Sequence, residues 1–217
     1  RFTLSVRVRC LLLVMLRIVC VSRLFFQAMS FVFFSETRYP TRYRRKVSSA
    51  ASDVYKIQAF VSTWGVSDED LVMNANDKFK AYSQKNEKFV SVMFSSSNHS
   101  PFELPDGKID FIKDKPRQSV DNAVKYADFA IGRFFALAKK EPYYKDTVFV
   151  VVADHNIRVY GDDLVPVNMF HIPALIITEG LKAQKFDHMS TQPDVLATAL
   201  DLLGTNLTYP ILGILFT

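Results

Sequence analysis

The run Thr147–Ala153, TVFVVVA, constrains the fold more than any other stretch of the chain. It is β-branched or apolar throughout, so a strand built from it has no polar face to show to water. Such a strand belongs inside a sheet that is covered on both sides, as in a parallel sheet flanked by helices. The run ends in Asp154-His155, so a carboxylate and an imidazole leave the sheet where it meets solvent.

The surrounding segments supply layers for that sheet. Phe89–Phe94 (FVSVMF), Pro173–Thr178 (PALIIT) and the short Ile57–Ser62 (IQAFVS) are predicted strands. Apolar residues recur in steps of three and four from Val120 to Ala138, which predicts a helix over 119–140. Ser119 is its N-cap, Lys139 and Lys140 suit the negative end of its dipole, and Pro142 stops it. Ser67 caps a second helix from Asp68 to about Tyr82, with Asp70 as its capping-box partner. Thr191 caps a third over 192–203, with Pro193 in the first turn and Gly204 at the end. Strands alternating with helices predict an α/β fold whose mostly parallel or mixed sheet is flanked by helices.

The chain has 217 residues, enough for one such domain and some excess. The excess lies at the amino terminus. Residues 1–50 hold ten Lys/Arg against a single acid, Glu36, whereas the rest holds 17 against 21. The formal charge of +5 and the pI of 9.1 therefore belong to the first quarter, and they are no argument for a nucleic-acid partner. Apolar runs at 10–16, 18–22 and 24–35 are interrupted by Arg17 and Arg23. An Arg in mid-span costs about 2.5–3.5 kcal/mol, which works against a single clean membrane helix. Residues 1–56 are accordingly set apart as an irregular basic and apolar segment, a degraded membrane-associated region or out-of-frame sequence, and 57–217 as the folded domain. Cys10 and Cys20 offer no disulfide framework.

Three patches can carry chemistry. Asp154 and His155 provide one oxygen and one nitrogen ligand, a pairing that suits Zn²⁺ or Mn²⁺; the same dipeptide also serves as a charged turn. The loop Ser95-Ser96-Ser97-Asn98-His99-Ser100-Pro101-Phe102 comes after a strand and places His99 where it can hold an anionic oxygen, or simply turns the chain. Trp64-Gly65 precedes a capped helix and either lines a pocket or packs away. His171 reads as structural, and His188 takes no role.

In their order and spacing these segments resemble the alkaline-phosphatase/sulfatase superfamily, in its lipoteichoic-acid-synthase-like phosphoglycerol transferase branch. The resemblance runs from about Phe60 to Gly213. It rests on Trp64-Gly65-Val66-Ser67-Asp68, on Ser97-Asn98-His99-Ser100-Pro101-Phe102, on Asp121 to Asp128, on Thr147 to His155, on His171 to Ile177, and on Gln192-Pro193-Asp194 through Leu203-Gly204. It implies an incomplete alkaline-phosphatase-like domain, extracytoplasmic and held at the cell membrane. It also implies a divalent metal (Mn or Zn) on Asp154 and His155, a substrate phosphate on His99 with Trp64 beside it, and phosphoryl-type transfer from a lipid head group.

The family's Thr nucleophile and another acidic metal ligand precede the Trp-Gly segment. Thr37 and Thr41 stand there in a basic, Pro-containing stretch and are poor candidates, and Asn156 replaces the usual Gly. The chain therefore reads as a truncated relative that is inactive by itself. The alternatives are a phosphoethanolamine transferase or sulfuric ester hydrolase of the same superfamily, and a non-catalytic membrane-associated protein. Asn156-Ile157-Arg158 after the Asp-His pair speaks against the phosphoethanolamine branch.

Overall fold

A computed structural model describes residues 12–17, 30–34, 60–156, 162–204 and 215–216, the first two stretches by their backbone. Strands β1 (Leu12–Arg17), β2 (Ser30–Phe34), β5 (Phe89–Phe94), β6 (Thr147–Val152) and β7 (Ala174–Ile177) form one sheet in the order β2-β5-β1-β6-β7. Strands β3 (Val61–Ser62) and β4 (Gly65–Val66) make a separate hairpin. Helices α1 (Asp68–Gln84), α2 (Val120–Ala138) and α3 (Gln192–Leu202) complete the layers.

Local chemistry sets the helix starts. Ser67 Oγ accepts the Asp70 N–H, and Ser119 Oγ accepts the Asn122 N–H, each satisfying a donor that the first helical turn leaves free. Thr191 and Asp194 form a reciprocal capping box at α3. Three acids, Asp68, Glu69 and Asp70, occupy the first turn of α1 at the positive end of its dipole. At the other end of α3, Gly204 takes φ +64°.

All six residues of β6 are buried. Phe149 and Val151 point into a core with Leu71, Ala75, Phe79 and Phe134 of α1 and α2. Val148, Val150 and Val152 point into a second core with Val195 and Ala199 of α3. The absence of a polar face in the sequence thus reports cover by helices on both sides. It does not report strand direction: both neighbours of β6, β1 and β7, run antiparallel to it, and β2–β5 is the parallel pair in a mixed sheet.

Two stretches of the region expected to be irregular, LLVMLR and SFVFF, are strands of the central sheet. SFVFF is aromatic and β-branched, the composition that favours a strand, whereas LLVMLR is apolar up to its final Arg. Arg17, which ends LLVMLR, matters less to a six-residue strand than to a membrane helix. Among the described residues, no helix is long and apolar enough to cross a membrane. The charged cluster from Arg38 to Lys46 lies outside the described residues.

Register places the site. Leu12 of β1 faces Phe94 at the end of β5 on one side and Val152 at the end of β6 on the other. Strands β5 and β6 therefore point the same way and finish at one edge of the sheet, about 10 Å apart at the usual strand spacing.

Phe79 is fully buried, stacks on Phe89 at 4.7 Å and meets Tyr143 edge-on at 5.8 Å. Phe79→Ala is expected to cost about 3–5 kcal/mol. Urea unfolding should show this as a lower midpoint with an unchanged slope.

Candidate functional site

The β3–β4 hairpin presents Trp64. Ser62 Oγ donates to Gly65 O at 3.0 Å and accepts the Trp64 N–H at 3.1 Å. Gly65 adopts φ +136°, a conformation that side-chain-bearing residues rarely reach, so the glycine of the Trp-Gly pair is a backbone requirement. The Thr63 N–H donates to Glu103 Oε2 at 2.6 Å, and this bond lowers the Glu103 pKa from its ordinary value.

The half-exposed indole lies against the His99 ring, with centroids 3.8 Å apart and planes inclined by 32°. Its Nε1–H donates to Ser100 O at 2.6 Å. The loop holding His99 is wound tightly. The His99 N–H donates to Ser96 O at 2.9 Å, and the Phe102 N–H to His99 O at 2.8 Å. Phe102 itself has φ +60°, a strained value for a non-glycine residue. Trp64 and His99, 35 positions apart, are thus one aromatic unit with a polar edge.

Beneath that unit lies Asp68, the first residue of α1. Its Oδ1 accepts the N–H groups of both Ser96 (2.9 Å) and Ser97 (3.0 Å), while its own N–H donates to Ser97 Oγ at 3.1 Å. Burial raises its pKa; the bonds from Ser97 and Ser96 oppose that shift without cancelling it. Glu69, 4% exposed, bridges Arg133 of α2 (2.9 Å) and Lys108 of the long loop before it (2.6 Å). Asn122 pins the same loop, with Oδ1 accepting the Ile112 N–H and Nδ2 donating to Pro116 O. Burial also pushes Tyr126, whose hydroxyl meets the Glu69 N–H, up to about 12.

Asp154 and His155 come directly after β6 and are accessible, with side chains 49% and 70% exposed. His155 Nδ1 lies 2.7 Å from Asn156 O. A carbonyl only accepts, so Nδ1 carries a proton. The other ring nitrogen, Nε2, faces Asp154 Oδ2 at 3.3 Å. In that tautomer the contact sets two lone pairs against each other, an arrangement that a cation between them would satisfy. At Zn–N and Zn–O lengths of about 2.0–2.2 Å, a 3.3 Å separation subtends roughly 105° at the ion, near the tetrahedral angle. The pair therefore fits part of a metal site. Among the described residues, no third His, Cys, Asp or Glu joins it.

The strand end is held from below. Gln192, the first residue of α3, donates from Nε2 to Ala153 O (2.9 Å) and Asp154 O (3.0 Å). Asn156 Nδ2 donates to Met169 O at 3.1 Å. The structure thus pairs Trp64 with His99 and Asp154 with His155, and the loops bearing His99 and the Asp-His pair leave the same edge of the sheet on either side of β1. Asp68, Glu103 and Gln192 escaped the sequence reading as site residues. Asp68 and Gln192 stood there as helix starts and as parts of the resembling motifs, without a site role, because the loops they reach are 28 and 38 positions away.

A mixed sheet between helical layers, with polar loops at one strand edge, defines an alkaline-phosphatase-like α/β domain. Residues 24–205 match the sulfatase family, and the chain belongs to that family, within the alkaline phosphatase superfamily. A protein in the alkaline phosphatase superfamily from Vibrio parahaemolyticus has a similar structure, with a TM-score of 0.67 at 47% identity, covering 71% of this chain and 38% of that one. Lipoteichoic acid synthase LtaP from Listeria monocytogenes shares the fold at a TM-score of 0.58 and 24% identity, over 70% of this chain and 42% of that one. Lipoteichoic acid synthase 2 of Bacillus subtilis (strain 168) is 29% identical over 136 residues, 54% of this chain and 21% of that protein. Phosphoglycerol transferase I of Salmonella arizonae is 30% identical over 104 residues, 45% of this chain and 13% of that protein. The chain thus spans only a small part of these curated relatives.

In the folded chain Asp68 keeps its proton to a higher pH than its ordinary 3.8. Between those two values the folded state binds a proton that the unfolded state has lost, so stability falls as pH rises through the window. Thermal melts from about pH 4 towards neutrality are expected to show the wild type losing stability relative to Asp68→Asn, which has no proton to lose.

Proposed function

We propose that this domain binds a glycerol-phosphate-type phosphoester of a lipid head group, as a partial metal-dependent phosphoryl-transfer site on the extracytoplasmic side of a cell membrane. The observation that carries the reading is the pairing of the Trp64 indole with the His99 imidazole at the sheet edge where the Asp154–His155 pair also emerges. The relatives named as phosphoglycerol transferase and lipoteichoic acid synthases support the substrate class.

Each residue has a role that its chemistry allows. The His99 imidazole donates a hydrogen bond to a phosphate oxygen. Trp64 packs its ring on the glycerol carbons and keeps His99 in place, its own N–H being engaged by Ser100. Asp154 and His155 would hold Mn²⁺ or Zn²⁺, which when bound supplies a Lewis acid for the phosphoryl oxygens. Gln192 keeps the Asp154 backbone at the strand end.

The same reading makes this chain inactive as it stands. Two protein ligands fall short of the three that catalytic zinc sites hold. A covalent step needs an activated hydroxyl, and the Thr191 hydroxyl, next to Gln192, is already bonded to Asp194. Thr37 and Thr41 lie outside the described residues.

Calorimetry with Mn²⁺ or Zn²⁺ is expected to show one weak site that Asp154→Ala abolishes. Glycerol 1-phosphate is expected to quench Trp64, the only tryptophan, with affinity reduced about tenfold or more in His99→Ala, the worth of a charge-assisted hydrogen bond. No phosphoester turnover is expected with metal present. Turnover abolished by Asp154→Ala would reveal a nucleophile and overturn the inactivity, and a Trp64 signal indifferent to glycerol 1-phosphate would overturn the substrate class.

A further inference from the structure

We propose that Asp68 is the positioning residue of the Trp64–His99 pair, acting as a hydrogen-bond acceptor that locks the hairpin and the histidine loop into one unit. This deepens the functional reading above and takes from it only that the two rings form the phosphoester-binding surface.

The two rings come from segments with no covalent reason to stay together. Trp64 sits on the hairpin that leads into α1, four residues before Asp68; His99 sits two residues beyond Ser97. Three hydrogen bonds join these segments at Asp68: the Ser96 and Ser97 N–H groups to Oδ1, and the Asp68 N–H to Ser97 Oγ. Donors run in both directions, so the contact restrains sliding as well as separation. Two further ties between the segments are solvent-accessible: the indole N–H to Ser100 O and the Thr63 N–H to Glu103. Exposed hydrogen bonds exchange with water at little cost, whereas buried ones leave stranded polar groups when broken. The Asp68 contact is therefore the one that holds the rings at 3.8 Å.

Only one carboxyl oxygen does this. Oδ2 is buried without a hydrogen-bond partner among the described residues. Asp68 also lines a small cavity of about 20 Å³ whose other walls are largely apolar, including Leu71, Val72, Met93 and Ala127. Among the described residues no cation pairs with Asp68, and burial favours the neutral acid. The contact thus needs an acceptor oxygen in the right place and no charge. An amide meets that need, and an isosteric hydrocarbon does not.

The test uses the whole chain, without metal or phosphate. A single tryptophan gives a single indole N–H resonance, which reports both its bond to Ser100 O and the neighbouring His99 ring. Asp68→Asn is expected to leave that resonance where it stands in the wild type. Asp68→Leu is expected to move it to the free-indole position, with solvent exchange about tenfold or more faster, while the methyl resonances of the two cores stay in place. Ser97→Ala, which removes the return acceptor, is expected to move it less and in the same direction.

An unmoved resonance in Asp68→Leu overturns the proposal. So does one displaced in Asp68→Asn, which would mean that the charge is needed. Should Asp68→Leu fail to fold, Asp68→Asn and Ser97→Ala decide, an unmoved resonance in Ser97→Ala counting against. Glycerol 1-phosphate added afterwards is expected to bind the wild type and Asp68→Asn alike, and Asp68→Leu about tenfold more weakly. Indole shifts as expected, together with no glycerol 1-phosphate binding by the wild type, would refute the substrate class and leave the positioning role standing.

Discussion

Burial of β6 on both faces is the constraint on which the rest depends. One strand contributes Phe149 and Val151 to the α1/α2 core and Val148, Val150 and Val152 to the α3 core. Neither core closes without it, and among the described residues neither helical layer has another fully buried strand to share. A strand gripped from both sides moves little, because packed interiors transmit displacement rather than absorb it. Asp154 and His155 hang directly from its end. The fixed position of these two side chains' backbone is thus a by-product of the apolar run before them.

The same logic, with different chemistry, serves the second loop. Strand β5 also ends at this sheet edge, but its last residue, Phe94, is exposed, and apolar packing alone does not fasten the serine-rich loop beyond it. Polar contacts from the helix layer take over. Asp68 at the start of α1 grips Ser96 and Ser97, and Gln192 at the start of α3 grips the backbone after β6. Both anchors occupy the first turn of a helix, where a side chain can reach past the helix end to a neighbouring loop.

The sequence and the structure part company where partners are distant. The Asp-His pair was legible because it is local: its meaning comes from the strand that precedes it. Trp64 and His99 were each recognisable as candidates, yet their contact depends on how the hairpin folds over the histidine loop. Asp68 looked like one acid among three in a helix start. Nothing in SDED says that Asp68 and Glu69 are swallowed, because Asp68 is covered by the loop 28 positions on and Glu69 by Lys108 and Arg133. The amino-terminal strands were hidden for a related reason. Apolar stretches cut by Arg residues read poorly as a membrane helix, and their pairing with β5 and β6 has no local signature.

What the sequence by itself determined is the identity of the elements and where they stop. Caps at Ser67, Ser119 and Thr191, the helical period from Val120 to Ala138, and the unbroken apolar run at 147 are short-range signals, and each produced its element to within a few residues. Tertiary structure alone decided strand direction, the insertion of β1 between β5 and β6, the stacking of the two rings and the burial of Asp68. Those outcomes are set by which surfaces meet once the chain has closed its long loops, and that choice is made by packing over the whole domain rather than by any one stretch of residues.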